Sequence, residues 1–303
     1  MDERLRDHRR KTWFGAKGLL KRLLSLRPFN DGARQLIRMS GGAASWSSFP
    51  VNLSEVQGDA AGARFALLDP IHCSIARELY WGDGRRLVPC ERSALELFCR
   101  LAKERDVILD IGANTGIFSL AAAAANPKVE VHAFEIVPEV FSLLYRNFAR
   151  NDILDRGFCH HFGLGQDGRV IRLPEALEGG SLPLSFSSDW DSKQGRKVGL
   201  RSLDSLLPMF PDRTRTVLVK IDVEGTEDEL FRGGGEFLGA FSPDMVCEIL
   251  PDCAKVDFIE PFLRSRGYSF FKIGGGSLIR SDKLIPDREF HDWFFTKNPQ
   301  ETR

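Results

Sequence analysis

The chain has 303 residues, 43% of them apolar and 28% charged, and its acidic and basic side chains cancel. This is the composition of a soluble globular protein with one large domain or two small ones. A chain of this length needs neither disulfides nor a structural metal to hold its core, so scaffolds that depend on either are excluded.

The charge is unevenly spread. Residues 1–38 carry eleven Lys or Arg against four acids, so this segment is +7 and the remainder −7. A basic tail on an acidic body points to a peripheral contact with an anionic surface such as a membrane, through residues 1–30; a solvated leader is the equal alternative. Trp13 to Phe29 reads as a short amphipathic helix, with Lys17, Lys21 and Arg22 among its apolar positions. Such a stripe can lie on a membrane, although it more often packs on the main domain. The same charges leave no apolar stretch of signal-peptide type. Gly41 to Ser48 is a small-residue linker, and residues 1–60 are expected to be a basic extension ahead of a main domain at 61–303.

Ala63 to Leu68 predicts a strand, and Glu91 to Glu104 a helix with Leu95, Phe98, Cys99 and Leu101 on one face. An alternating pattern then begins. Val107–Ile111 is a buried-type strand, Gly116–Ala125 a helix too short to span a bilayer, and Val129–Phe134 a second strand. Pro138 opens a helix that runs to about Asn151, and Phe158–Leu164 is a third strand. A turn at Gln166-Asp167-Gly168 leads to a short strand at Val170–Leu173, and residues 174–197 read as a mobile excursion. Val217–Ile221 is the fourth strand, followed by a helix from Thr226 that stops at Gly233-Gly234-Gly235. Met245–Ile249 is the fifth strand and Phe258–Arg266 a helix. Tyr268–Ile273 and Ser277–Arg280 form a terminal antiparallel pair. Strands alternating with helices predict an α/β fold with a doubly wound, mainly parallel sheet. None of the six cysteines has disulfide-exchange or zinc-ligand spacing; Cys159 and Cys247 lie in apolar runs and are expected to be buried thiols. A reducing, cytoplasmic location is expected.

The decisive segment is Val107-Ile-Leu-Asp-Ile-Gly-Ala-Asn-Thr-Gly116, followed by Phe134-Glu135. In such a fold a ligand lies beyond the carboxyl ends of the strands. Gly112 and Gly116 allow a sharp turn and close approach to that ligand. Glu135 follows Asp110 by 25 residues and can accept both hydrogen bonds of a ribose diol. A dinucleotide site calls for a second glycine where Asn114 stands, and the carboxylate of Asp110 would repel a pyrophosphate. Beside the ammonium of S-adenosylmethionine that carboxylate would be favourable, directly or through water.

Four segments resemble the FkbM-type methyltransferases: Asp110-Ile-Gly-Ala-Asn-Thr-Gly116, Ala133-Phe-Glu135, Lys220-Ile-Asp-Val-Glu-Gly225 and Pro243-Asp-Met-Val-Cys-Glu248, with Ser202-Leu203-Asp204 as a further element. The resemblance covers roughly residues 100–250. It implies a class I, Rossmann-like methyltransferase that uses S-adenosylmethionine to methylate a hydroxyl of a sugar, glycan or secondary metabolite. Ile136 stands where the family usually has Pro, and Gly163-Leu164-Gly-Gln166 where it usually has Ala-Leu-x-Asp. Both loops are implied to touch the adenosine.

On the acceptor side, Asp222 and Glu224 follow the fourth strand at the end that carries the glycine loop. Either carboxylate can serve as the base, with Lys220 orienting it or stabilising an alkoxide. Glu224 can instead simply favour a helix start. Glu248, closing the fifth strand, is expected to line the acceptor pocket. Three acids can bind a divalent cation, but nothing in the sequence favours it and no metal is expected. An inward-facing member of the His160-His161 pair is expected in the core, and Asp228 and Glu229 on a solvated helix face. The competing readings are an NAD-dependent oxidoreductase, opposed by Asn114 and the lack of a Ser/Tyr/Lys set, and a non-catalytic cofactor-binding module. The acceptor is expected to be a small molecule or glycan. Nucleic acid is not expected, since the main domain has no basic stripe.

Overall fold

The computed structural model describes residue 32 and residues 51–173, 196–251, 255–287 and 289–299. The expected amphipathic helix, the linker, Cys253 and most of the expected excursion lie outside the described residues. Two compact units are present. Among the described residues the smaller takes those up to Gly58 and Leu67–Leu87, and the larger takes Asp59–Ala66 and those from Val88 on.

Strands β1 (Glu55–Ala60) and β2 (Ala63–Leu68) form a two-stranded sheet. They turn at Ala61-Gly62, both at positive φ. The boundary expected at 60/61 falls in this turn. Within the smaller unit, helix α1 (Ser74–Trp81) buries Leu79, Tyr80 and Trp81, and its Glu78 pairs with Arg86 at 2.9 Å.

The larger unit is built on eight strands: β3 (Val107–Ile111), β4 (Glu130–Phe134), β5 (Gly157–His160), β9 (Val217–Ile221), β10 (Asp244–Glu248), β11 (Ser269–Gly274), β12 (Ser277–Ser281) and β13 (Asp292–Thr296), in the order β12-β11-β13-β10-β9-β3-β4-β5. The five from β10 to β5 are parallel, as the alternating pattern predicts. Every residue of β3 and β9 is buried, which is why both read as unbroken apolar runs. Helices α2 (Pro89–Ala102), α3 (Ile117–Ala125), α4 (Pro138–Arg150) and α5 (Glu227–Arg232) follow the sequence reading closely. So does α7 (Val256–Arg264), which follows α6 (Gly235–Phe241).

Several expectations are corrected. The third strand is shorter than Phe158–Leu164: β5 ends at His160, and β6 (Gly163–Leu164) joins β7 (Val170–Leu173) and β8 (Arg196–Arg201) in a separate sheet ordered β6-β8-β7. Helix α5 does stop at the glycines, with Gly233 as its C-cap, but a second helix, α6, that the sequence did not predict begins at once behind Gly234. The terminal pair β11–β12 exists but does not meet β10. Strand β13 lies between, antiparallel to both β10 and β11. All five of its residues are buried, so it shows no alternation to betray it. Cys247 is buried as expected, whereas Cys159 is only half-buried. Asp228 and Glu229 are not solvated: Asp228 is buried between Lys255 (3.0 Å) and Arg232 (3.5 Å), and Glu229 pairs with Arg169. His160 stacks on Phe134, and His161 stacks on Phe141.

Candidate active site at the carboxyl ends of the parallel strands

Strand β3 ends in the glycine loop. The backbone amides of Gly112 and Ala113 both donate to Phe134 O, at 3.0 and 2.9 Å, which ties the loop to the end of β4. Gly112 has φ +77, and a Cβ there would sit 1.8 Å from Asp222 O. The loops after β3 and β9 therefore meet with no room for a side chain. Gly116, at φ +89, opens α3 and would meet Leu144 Cδ1 at 2.6 Å. Asn114 also has positive φ, at +49; its side-chain oxygen accepts from Thr115 N at 2.8 Å.

Glu135 is buried and bridges the loop to the next helix. Its Oε2 accepts from Asn114 N at 2.9 Å and its Oε1 from Val137 N at 2.7 Å. The amide of Ile136 is directed at the same carboxylate, and the lone pairs left over are what a ribose hydroxyl needs. Burial pushes its carboxyl up to about 7, against the pull of those amides. Asn147, which the sequence reading did not single out, is fully buried and donates to Thr115 O at 2.8 Å, holding the loop from below.

Asp110 is held from inside the protein. Its Oδ2 accepts from Ser119 N at 3.0 Å and Ser119 Oγ at 2.6 Å, in the first turn of α3. It is 1% exposed, and burial raises its carboxyl to about 6. Its work is to brace the helix that follows the loop. Ile136 is half-buried, and its Cδ1 lies 2.8 Å from where a Gly163 Cβ would be; Leu200 Cδ2 is at 2.6 Å. The two loops expected at the adenosine are thus in contact. Leu164 is also in place, but its side chain belongs to the core.

On the other side of the glycine loop lies a charged cluster. Lys220, buried in β9, sets its ammonium 3.5 Å from Asp222 Oδ2 and 3.6 Å from Asp292 Oδ1. It also sits 5.0 Å above the Phe118 ring. Burial alone would lower the Lys220 pKa, but Asp222 and Asp292 override it and hold the ammonium charged. Asp222 Oδ1 is buried with no hydrogen-bond partner. Burial, then the charge of Asp222, pushes the carboxyl of Glu248 far above the ordinary range, and it hydrogen-bonds Asp222 when it holds its proton. Burial, then Asp222 and Glu227, raises Glu224 to about 7. Glu224 has φ +54 in the tight turn after β9.

Asp222, Glu224 and Glu248 each bring one oxygen within 4.8 Å of the others, which is also close enough for a cation. Two ionised carboxylates at 4 Å repel by about 4 kcal/mol at the effective dielectric of a protein surface, so the group keeps a proton beside the Lys220 ammonium. We treat it as an acid–base cluster. All four expected acceptor-side residues come together. Asp292 and His291 join them from β13 and the loop before it, and the sequence reading had missed both.

Residues 110–270 match the family described as the methyltransferase FkbM domain. The chain belongs to this family. An FkbM-family relative, "31-O-demethyl-FK506 methyltransferase FkbM" of Streptomyces tacrolimicus, is 45% identical, with 61% of this chain and 78% of the relative aligned. "Methyltransferase sdnD" of Sordaria araneosa is 29% identical over 53% of this chain and 73% of its own. "Hexuronic acid methyltransferase AglP" of Haloferax volcanii is 28% identical over 47% and 56%. The FkbM domain contains the glycine loop, Glu135 and the acidic cluster, and its cofactor is S-adenosylmethionine. The oxidoreductase alternative is thereby set aside, and the fold is that of a class I methyltransferase. No described helix is long and apolar enough to cross a membrane.

The role of Glu135 gives a pH-dependent expectation. Ribose hydroxyls donate better to a carboxylate than to a carboxylic acid. S-adenosylhomocysteine should therefore bind more weakly as pH falls through about 7, by at most about tenfold per unit, with no further gain well above 7. Calorimetry between about pH 5.5 and 8.5 reads this, and Glu135→Gln should flatten the profile. Glu135→Ala should cost about 1.5–3 kcal/mol of affinity. An unchanged profile in Glu135→Gln, with full affinity in Glu135→Ala, would remove Glu135 from the pocket.

Proposed function

We propose that this FkbM-family enzyme methylates a hydroxyl oxygen of a sugar, a glycan or a secondary metabolite. The observation that supports this most is Asp222. Its Oδ1 is buried without a donor unless Glu248 lends its proton, while Oδ2 faces the Lys220 ammonium. An alcohol is a poor nucleophile until its proton is drawn off. The hydroxyl proton passes to Asp222, the oxygen lone pair forms the new C–O bond, and Lys220 steadies the charge that develops on that oxygen. When bound, S-adenosylmethionine supplies the electrophilic methyl group and leaves as the neutral thioether. The relative names accord with this: one specifies an oxygen position and another a hexuronic acid.

The test is a panel of sugars, glycolipid head groups, hydroxylated metabolites, amines and nucleic acids, offered with S-adenosylmethionine labelled in the methyl group. Label should appear on hydroxyl compounds. Label confined to amines or nucleic acids would sink the reading.

The same reading places the enzyme in the cytoplasm, with residues 1–60 tuning location or substrate access and residues 1–30 touching an anionic membrane. The excess of positive charge there supports it. Sedimentation with anionic liposomes should be lost in salt, and an absence of sedimentation at low salt would count against the contact.

A further inference from the structure

We propose that His291 is a positioning residue of the acceptor side, holding the carboxyl of Glu248 against Asp222 so that the two act as one base. This rests on the reading of Asp222 as the proton acceptor. The imidazole is lodged between two elements: its Nε2 lies 3.3 Å from Glu248 Oε1 at the end of β10 and 4.0 Å from Cys90 Sγ in α2. The backbone adds a second tie, because Ile249 N donates to His291 O at 2.7 Å. Side chain and main chain together clamp the end of β10 to the entry of β13. The imidazole and the Glu248 carboxyl are each 17% exposed, so neither is free to swing in solvent.

The titratable and charged groups around the imidazole are Glu248 on β10, the Cys90 thiol on α2, Asp292 on β13 and Lys220 on β9. When protonated, the imidazole carries an N–H on Nε2, which faces Glu248 Oε1 at 3.3 Å and Cys90 Sγ at 4.0 Å. A carboxyl oxygen of Glu248 lies within 4.8 Å of one of Asp222, and the pair shares a proton. When the acceptor hydroxyl gives up its proton the pair goes from one bound proton to two, and the negative charge it loses develops on the acceptor oxygen, whose electron pair forms the bond to the methyl carbon as the carbon–sulfur bond breaks. Without the imidazole, Glu248 loses the donor that fixes its rotamer. Asp222 then meets the acceptor alone. The residue was not visible in the sequence because 43 positions separate it from Glu248 and only the antiparallel pairing of β10 with β13 joins them.

His291→Leu removes the donor at similar bulk, and His291→Gln returns an N–H near the Nε2 position. Crystal structures of both variants with S-adenosylhomocysteine read the position directly and need no acceptor. The Glu248 carboxyl should leave Asp222 in His291→Leu and stay in His291→Gln. Both should bind S-adenosylhomocysteine within about twofold of the parent, since the glycine loop and Glu135 are untouched; this also shows that they fold. With a hydroxyl compound that the parent enzyme methylates, His291→Leu should lower kcat about tenfold or more with little change in KM, and His291→Gln should recover most of it. An undisturbed Glu248 in His291→Leu overturns the proposal, as does a His291→Gln variant with Glu248 displaced. If the parent enzyme methylates no hydroxyl, the reading of function fails, while the position of Glu248 still decides the role of His291.

Discussion

Asp222→Asn should lower methyl transfer by about 10²–10⁴-fold and leave S-adenosylhomocysteine affinity nearly intact, the range a positioned base contributes. The amide keeps the shape of the carboxylate and cannot take a proton. Two features make this substitution severe. The Oδ1 atom it replaces is buried, and the group that can lend it a proton is the neighbouring Glu248 carboxyl. The Lys220 ammonium, buried 3.5 Å away, loses one of its two carboxylate partners and keeps Asp292 at 3.6 Å. That remaining pair preserves the local fold while the base is gone. Isothermal calorimetry and turnover on one preparation separate the outcomes. A collapse of cofactor affinity would move Asp222 into the cofactor pocket. Unaltered turnover would pass the proton to another group, with Glu248 the first to examine.

Gly112→Ala should be nearly as damaging, for steric reasons. The glycine sits at φ +77, which costs an L-residue about 1–2 kcal/mol, and the added methyl would lie 1.8 Å from Asp222 O. Both neighbours are backbone, anchored by the bond from Asp222 N to Ile111 O at 3.0 Å and by the bonds to Phe134 O. The loop can accept the methyl only by parting β3 from β9. We expect a loss of about 3–5 kcal/mol, seen as a fall in Tm of about 10 °C or more and at least about a hundredfold weaker S-adenosylhomocysteine binding. Gly239→Ala is the control. It lies exposed in α6 with nothing within 4 Å of its new methyl, and should be neutral or slightly stabilising. Equal Tm and affinity in Gly112→Ala would show that the two loops are not pressed together.

The parallel half of the sheet was legible because its signals are local. A buried run, a short turn and a helix follow one another within about 20 residues from Val107, and the same pattern repeats at Val129, where Pro138 opens the helix, and at Val217, where the turn again carries a glycine. Glu135 was legible for the same reason, as the acid at a strand end. What escaped depends on long-range pairing. Strand β13 is apolar on both faces and is flanked by no glycine turn of its own, so His291 and Asp292 had no motif to reveal them. Asp110 was visible as an acid, but its partner Ser119 was not. A carboxylate in the middle of a fully buried strand must be satisfied from inside the protein, and Ser119, nine residues on in the first helical turn, satisfies it. Asp228 and Glu229 failed for a related reason: helical spacing places them on one side of α5 but does not announce Lys255 or Arg169, which cover that side.

The central claim is that the acidic cluster beside the glycine loop serves the methylation of oxygen. The most direct measurement supplies S-adenosylmethionine with a ¹³C-labelled methyl group, together with the acceptor that takes up label, and follows the product by carbon NMR. A methyl carbon bonded to oxygen, formed by the parent enzyme and almost absent with Asp222→Asn, is the predicted result. A methyl carbon bonded to nitrogen, carbon or sulfur, or an oxygen methyl formed equally fast by Asp222→Asn, would contradict it.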